Sequence, residues 1–279
     1  MNQSLVRHQT NNTYTSEFHS YICDSEERVE PHFHKNFEII VCTKGVCRLN
    51  VSEREYILTE GQAAFIMPFQ IHSFQTEKSA SVRCTTLRKA LILTLAEVLN
   101  GSIPDTPVFT PSPETFNYFC EQAFLLFGNN SGMMDRISPP FKRLKTKGIL
   151  YSIESEFLEQ ATFRKTVETE AIVTKVLEYI SENFKNNISL HQISESTGYN
   201  YQYLSRTFNY TMGTKFKKLL NQYRLEYALY IVHDTNRPIT EIAFESGFQS
   251  VRSLNRVCYE TFGCSPTELR KRDKRLKSV

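Results

Sequence analysis

The feature that most constrains this chain is a pattern that occurs twice in its last third. Ile239 to Arg270, ITEIAFESGFQSVRSLNRVCYETFGCSPTELR, reads as two short helices joined by a tight turn and followed by a third. Ile242 and Ala243 supply the apolar side of the first helix. Gly247 sits where the chain must reverse and a Cβ is least tolerated. Phe248 packs the turn inward. Ser250 is placed to cap the second helix, whose Leu254 and Val257 or Cys258 face the core at helical spacing. That leaves Val251, Arg252, Asn255 and Arg256 on the outer face. Guanidiniums and an amide on an exposed second helix are what base-edge reading in a DNA major groove needs. Ser265, Pro266 and Glu268 then read as N-cap, N1 and N3 of a further helix.

The earlier copy is Ile188 to Phe216. Gly198-Tyr199 matches Gly247-Phe248, Leu204 matches Leu254 with one position of slack, Arg206 matches Arg256 and Gly213 matches Gly263. The two turn glycines are 49 residues apart, room for one helix-turn-helix and one long helix. The first recognition helix is expected from about Asn200 to Tyr210. Leu204 and Phe208 face inward, and Tyr201, Gln202, Ser205, Arg206 and Asn209 face outward. Ser189 to Gln192 fits a capping box for the helix before it. Thr214 to Asp234 is the long spacer, with Phe216, Leu219, Leu220, Tyr223, Ala228 and Ile231 on its buried stripe. Pro238 follows its end. Ala171 to Phe184 forms a preceding helix.

Residues from about Val173 to Arg270 resemble the DNA-binding domain of the AraC-type transcription regulators. The resemblance is carried by Ser189-Leu190 with Ile193, Leu204-Ser205-Arg206 with Phe208, Gly213, Arg224-Leu225 with Ala228, and Ile239. It continues through Glu241-Ile242-Ala243, Gly247-Phe248, Arg256, Gly263, Ser265-Pro266 and Arg270. Ser194 stands where that family usually has Ala, and Leu254 and Cys258 where it usually has Phe. These departures loosen the packing of the second unit slightly and leave its exposed face intact. The resemblance also implies that the Arg206/Arg256 position serves either DNA contact or an internal salt bridge.

Charge agrees with a polyanion partner. The chain carries 33 Lys+Arg and 30 Asp+Glu, a net charge of +3. Residues 164–279 hold 18 and 12 of these, so the second half is at +6 and the first at −3. The seven cysteines are scattered with no C-x-x-C, which argues against a disulfide scaffold or zinc knuckle. The longest apolar stretch, Ala90 to Leu99, is too short to span a bilayer. The N-terminal residues, polar and read as frayed to about residue 20, lack the apolar core of a signal peptide, so a cytoplasmic protein with no membrane partner is expected.

Tyr21 to about Thr86 reads as short strands, among them Glu38–Cys42, Val46–Val51 and Ala63–Met67, with turns at Lys44-Gly45 and Glu60-Gly61. This spacing suggests a small antiparallel barrel. Within it His32-x-His34-x-x-x-Glu38, Gly45, Gly61, Pro68 and His72 resemble the cupin barrel, the usual sensor domain of AraC-type regulators, although the usual Gly after Pro68 is missing. His32, His34 and Glu38 share parity and are expected on one strand face. With His72 they would place three imidazoles and a carboxylate round one divalent metal. The same residues also suit a ligand pocket without metal, or structural histidines. No cofactor follows from the sequence.

Leu87 to Leu99 mixes strand and helix character. Asn100 to Pro113 reads as a loop. Glu114 to Phe127 reads as a helix on Phe116, Phe119, Cys120, Ala123, Phe124 and Phe127. Gly128 to Pro140 is a second loop, and Phe141 to Gln160 a helix on Leu150, Ile153 and Phe157, with Leu144 and Ile149 nearby. In the resembled family such helices commonly form the dimer contact; the alternative is that they cover the barrel. Ala161 to Thr169 is the boundary. The fold expectation is therefore α+β: a cupin-like antiparallel barrel with helices over residues 1–165, and an all-α domain with two helix-turn-helix units joined by a long helix over residues 166–279.

The function this implies is sequence-specific binding of promoter DNA by a regulator, an activator by resemblance. It would contact RNA polymerase, answer to a small-molecule effector and work as a candidate homodimer. Tyr201, Gln202, Ser205, Arg206, Val251, Arg252, Asn255 and Arg256 are the expected readers. Lys215, Lys217 and Lys218 are the expected phosphate contacts. His32, His34, Glu38 and His72 are the expected effector pocket. Tyr201 and Tyr203 have packing as their rival role, and the basic run Arg270 to Arg275 is read as a solvated end rather than a DNA arm. The competing class is a cupin metalloenzyme, a non-haem iron dioxygenase or isomerase fused to a helical domain, which leaves the last hundred residues without a role. No Ser-His-Asp set, phosphate loop or nucleotide motif is present, so a non-enzyme is expected. A DNA-repair protein lacks its methyl-acceptor cysteine motif.

Overall fold

The computed structural model describes residues 7–8, 16–99, 101–127, 131–135 and 139–276, and the chain divides into two compact units, residues 9–167 and residues 168–279 together with 1–8. Apart from the two-residue strand β1 (Arg7–His8), the strands run β2 (Ser16–Asp24), β3 (Arg28–Phe33), β4 (Phe37–Lys44), β5 (Val46–Val51), β6 (Arg54–Thr59), β7 (Ala63–Ile66), β8 (His72–Thr76) and β9 (Ser81–Leu87). A 3-10 turn at Lys89–Leu91 and helix α1 (Leu93–Leu99) follow, so the ambiguous stretch is helical. Next come β10 (Ser102–Pro104), β11 (Val108–Phe109), helix α2 (Pro113–Phe127), β12 (Ser131–Asp135), helix α3 (Pro140–Gln160) and β13 (Phe163–Lys165).

Two antiparallel sheets share one interior, the form the expected barrel takes. One has the order β11-β7-β4-β9-β2-β12; the other runs β3-β8-β5-β6. Strand β4 is buried on both faces, which is why Ile39 to Cys42 is a continuous apolar run beside the buried Glu38. Its Ile39 and Val41 join Phe65, Leu87 and the helical Ile153 and Phe157, while Ile40 and Cys42 meet Leu49, Leu58 and Phe74 between the sheets. Strand β5 alternates instead, with Cys47, Leu49 and Val51 inward and Arg48 and Asn50 outward.

Local pattern missed strands in four segments. Strand β2 begins at Ser16, inside the stretch read as frayed, because Phe18 pairs with Leu87 and is buried there. The loop read over Gly128 to Pro140 contains β12, held by pairing with β2; its residues 128–130 and 136–138 lie outside the described set. The Asn100–Pro113 and Ala161–Thr169 segments contain β10 and β13, paired with one another. Long-range register, absent from any local window, makes each of these strands. On α2 and α3, Phe119, Ala123, Ile149, Leu150, Ile153 and Phe157 are buried, but Phe124 and Leu144 face solvent.

The second unit is all helical: α4 (Glu168–Asn183), α5 (Leu190–Thr197), α6 (Tyr201–Met212), α7 (Phe216–Asp234), α8 (Ile239–Glu245), α9 (Val251–Phe262) and α10 (Pro266–Leu276). The spacer α7 buries Phe216, Leu219, Leu220, Tyr223, Ala228 and Ile231, the expected stripe. Its buried Arg224 donates from Nε to the Phe184 carbonyl at 2.7 Å and from Nη2 to the Asn186 carbonyl at 2.8 Å. Those bonds satisfy acceptors just past the end of α4 and fix α7 to it. The α8–α9 turn lands on the same spot. Gly247 has φ +85°, and a Cβ there would lie 2.7 Å from the Phe184 carbonyl oxygen.

The candidate nucleic-acid interface and the buried histidine cluster

Helices α6 and α9 are capped alike. The Asn200 side chain accepts from the Gln202 and Tyr203 amides, and the Ser250 hydroxyl from the Ser253 amide. Gly213 and Gly263 end them in the left-handed conformation, at φ 60° and 68°. Removing the second cap by Ser250→Ala should cost roughly 1 kcal/mol of stability in residues 168–279, read as a lower urea midpoint at unchanged slope.

Each helix buries one stripe: Leu204, Thr207, Phe208 and Met212 on α6, and Leu254, Val257 and Cys258 on α9. Leu254 and Cys258 are fully buried although they stand where the resembled family usually has Phe. Ser194, the other departure, donates its hydroxyl to the Tyr199 carbonyl at 2.7 Å and tightens the first turn. The opposite faces hold the expected readers. Tyr201, Gln202, Arg206, Arg252, Asn255 and Arg256 are exposed, and Ser205 and Val251 are half-buried. Lys215, Lys217 and Lys218 are exposed at the start of α7.

Arg206 and Arg252 have no ion pair or hydrogen bond among the described residues. Arg256 donates to Glu260 at 2.8 Å, one helical turn on, with both side chains more than half exposed. The salt bridge that resemblance allowed therefore lies on the surface. Glu260 went unnoticed in the sequence, although its i,i+4 spacing from Arg256 is a readable signal. Arg270 is not part of a free basic tail: its Nε donates to the Val232 carbonyl at 3.2 Å and ties α10 to α7. The side chains of residues 273–275 lie outside the described set.

In the first unit His32, His34, Glu38 and His72 come together, each at least 95% buried, with one ligand atom from each within 4.8 Å of the others. They do not share one strand. His32 is the penultimate residue of β3, His34 lies in the following turn, Glu38 is on β4, and His72 opens β8 opposite His32. The tight β3–β4 turn, rather than strand parity, gathers them. The Phe69 amide donates to the His34 carbonyl at 2.8 Å, and Phe69 takes φ 63° where the usual glycine is missing. That left-handed conformation costs an L-residue about 1–2 kcal/mol, offset here by the bond and by burial of the ring.

Every ring Nδ1 lies 2.9 Å from a backbone carbonyl: His32 from Glu30, His34 from Asn36 and His72 from Gln70. A carbonyl only accepts, so each Nδ1 carries a proton and each Nε2 faces the cluster. Glu38 Oε2 lies 2.8 Å from His34 Nε2 and 3.0 Å from His72 Nε2. Burial would raise the Glu38 carboxyl, but the two imidazole bonds outweigh it and hold it well below the usual range. Burial, with His72 adding to it, pushes His32 down to about 3, which keeps that ring neutral. His19 was missed by sequence reasoning. It sits in the same cross-strand row as Glu38 through Thr86 and stacks on Tyr21 with ring centroids 5.3 Å apart. Only pairing register could have found it.

Two antiparallel sheets followed by a duplicated helix-turn-helix define a chain with a sensor-type module and a DNA-reading module. The description "AraC-like ligand binding domain" matches residues 15–121, and "Helix-turn-helix domain" matches residues 193–272. The chain belongs to the AraC-type transcription regulators. An uncharacterized HTH-type transcriptional regulator of Staphylococcus aureus (strain MSSA476) is 36% identical over 85 residues, 30% of this chain and 11% of that protein. A protein of Escherichia coli (strain K12) named as an HTH-type transcriptional regulator is 31% identical over 104 residues, 37% of this chain and 44% of its own length. The chain thus spans about a tenth to under half the length of these curated relatives. ToxT from Vibrio cholerae shares the fold over 92% of this chain and 98% of its own, at TM-score 0.51 and 15% identity. Wild-type ToxT with a bound unsaturated fatty acid does so over 92% and 95%, at TM-score 0.53 and 16% identity.

Proposed function

We propose that this chain is a sequence-specific regulator of transcription that reads double-stranded promoter DNA through α6 and α9 and is controlled by an effector in residues 9–167. The observation that carries the reading is the pair of helices, each with a side-chain N-cap and a left-handed glycine end, a buried apolar stripe and an exposed cationic and amide face. Arg206, Arg252 and Arg256 suit guanine O6 and N7, Gln202 and Asn255 suit adenine N6 and N7, and Val251 suits a thymine methyl. The exposed Tyr201 and half-buried Ser205 of α6 complete the set of readers. Lys215, Lys217 and Lys218 suit phosphates, which set register without reading sequence. The two readers would enter successive major grooves ~34 Å apart.

The regulator acts as a cytoplasmic activator in contact with RNA polymerase, as its resemblance implies. The fold it shares with the fatty-acid-bound ToxT supports a small-molecule effector. The exposed Phe124 and Leu125 on α2 and Phe141 and Leu144 on α3 support a homodimer contact through those helices. Gel shift and footprinting on genomic fragments test the DNA reading. Lys217→Ala is expected to weaken all sequences alike and to reduce the slope of log K against log salt by about 1, whereas a base-reading residue alters preference at one or two positions. No protected fragment, or binding equal on all fragments, contradicts the proposal.

A further inference from the structure

We propose that Glu260 is a positioning residue for Arg256 and makes α9 the stringent half of the DNA-reading surface, with α6 as the tolerant half. The proposal rests on the DNA reading of the two helices and adds a division of labour between them. Helices α6 and α9 correspond position by position. Each has 12 residues, a side-chain N-cap and a left-handed glycine end. Arg206 and Arg256 are therefore both the sixth residue of their helix, and Tyr210 and Glu260 both the tenth. Side chains four residues apart on a helix are neighbours on one face. At equivalent places α9 thus carries a carboxylate and α6 a phenol. Arg256 Nη1 donates to Glu260 Oε1 at 2.8 Å. Arg206 has no ion pair or hydrogen bond among the described residues.

The difference bears on what a guanidinium must do to read a base. Guanine O6 and N7 accept two N–H groups held side by side. Glu260 engages only Nη1, which leaves the Nε–Nη2 edge, a complete two-donor fork, for a base. Held at one end, the long side chain has less rotamer freedom to lose on docking. The carboxylate also repels phosphates, so it disfavours the contacts that Arg256 would make on any duplex. Specificity is a difference of affinities, and an element that weakens the wrong contact raises it. Arg206 has Tyr210 in place of that carboxylate, so nothing biases it from phosphate toward base. The rest of each face runs the same way. On α9, Arg252 and Asn255 are exposed beside Arg256; on α6, Gln202 and Tyr201 are exposed beside Arg206.

The test is a base-by-base competition gel shift on a footprinted site, using the full chain. Arg206→Ala and Arg256→Ala first mark the base that each arginine reads. In the native chain the Arg256 base is expected to be discriminated about threefold or more above the Arg206 base. Glu260→Gln should remove that surplus, tighten binding to unrelated DNA, and leave the α6 half-site unchanged. Tyr210→Glu, which places a carboxylate one turn beyond Arg206, should raise discrimination at the Arg206 base by a similar factor. Both positions are exposed, Tyr210 at 77%, so both variants should fold. In an Arg256→Ala background, Glu260→Gln should no longer change discrimination at the Arg256 base. Equal discrimination in the two native half-sites, or a Glu260→Gln effect that persists without Arg256, overturns the proposal. A chain that protects no fragment at all overturns the DNA reading itself, so the two failures are distinguishable.

Discussion

Gly247→Ala is expected to destabilise residues 168–279 by ~3 kcal/mol or more, a fall in melting temperature of roughly 12 °C or more. A Cβ at this position would meet the Phe184 carbonyl oxygen at 2.7 Å and the Lys185 Cα and carbonyl oxygen at 2.8 Å. All three are backbone atoms, and the Arg224 guanidinium holds the Phe184 and Asn186 carbonyls on either side of Lys185, so none can swing aside. The backbone also sits at φ +85°, where an L-residue is strained by about 1–2 kcal/mol. The matched control is Gly263→Ala. Gly263 has φ +68°, but its Cβ would meet nothing within 4 Å, so only the conformational cost of about 1–2 kcal/mol applies. Thermal or urea unfolding of the two variants reads the difference. Equal losses would mean that the packing of the α8–α9 turn on the end of α4 contributes nothing.

The second large effect concerns DNA. Arg206→Ala and Arg256→Ala should each cost about 1–3 kcal/mol of discrimination, roughly five- to 150-fold, at the base position each reads. Arg256 already has a partner in Glu260, and magnitudes decide which contact prevails. An exposed i,i+4 pair contributes only about 0.3–0.5 kcal/mol, and both side chains are more than half in solvent. A bidentate guanine contact outweighs it. Glu260→Gln should therefore raise affinity modestly, through loss of a carboxylate near phosphates. Competitive gel shifts with single-base variants of a footprinted site measure both changes.

Why was the second unit so legible? Its signals are local. Capping residues lie within three positions of what they cap, as Ser265 and Glu268 do. The apolar stripe of α7 repeats every turn, and the turn glycine announces itself. The Ser189–Gln192 capping box is present as read. The first unit is built from long-range pairing, and there local pattern gave strands such as β4 and β5 but not β12 or β13. The histidine cluster shows the same divide. The four residues were legible by type and spacing, yet the reason offered, a shared strand face, was wrong because a turn intervenes at His34. His19 and the unpartnered Nε2 of His32 were beyond reach, since register and hydrogen-bond closure exist only in the folded chain.

The most direct measurement is a footprinting titration that compares the native chain with a variant in which Gln202, Arg206, Arg252 and Arg256 are all alanine. Twin readers on one chain predict two protected segments centred about 10 base pairs apart, both lost in the variant while its fold is retained. A single protected segment, or the same two segments undiminished in the variant, would contradict it.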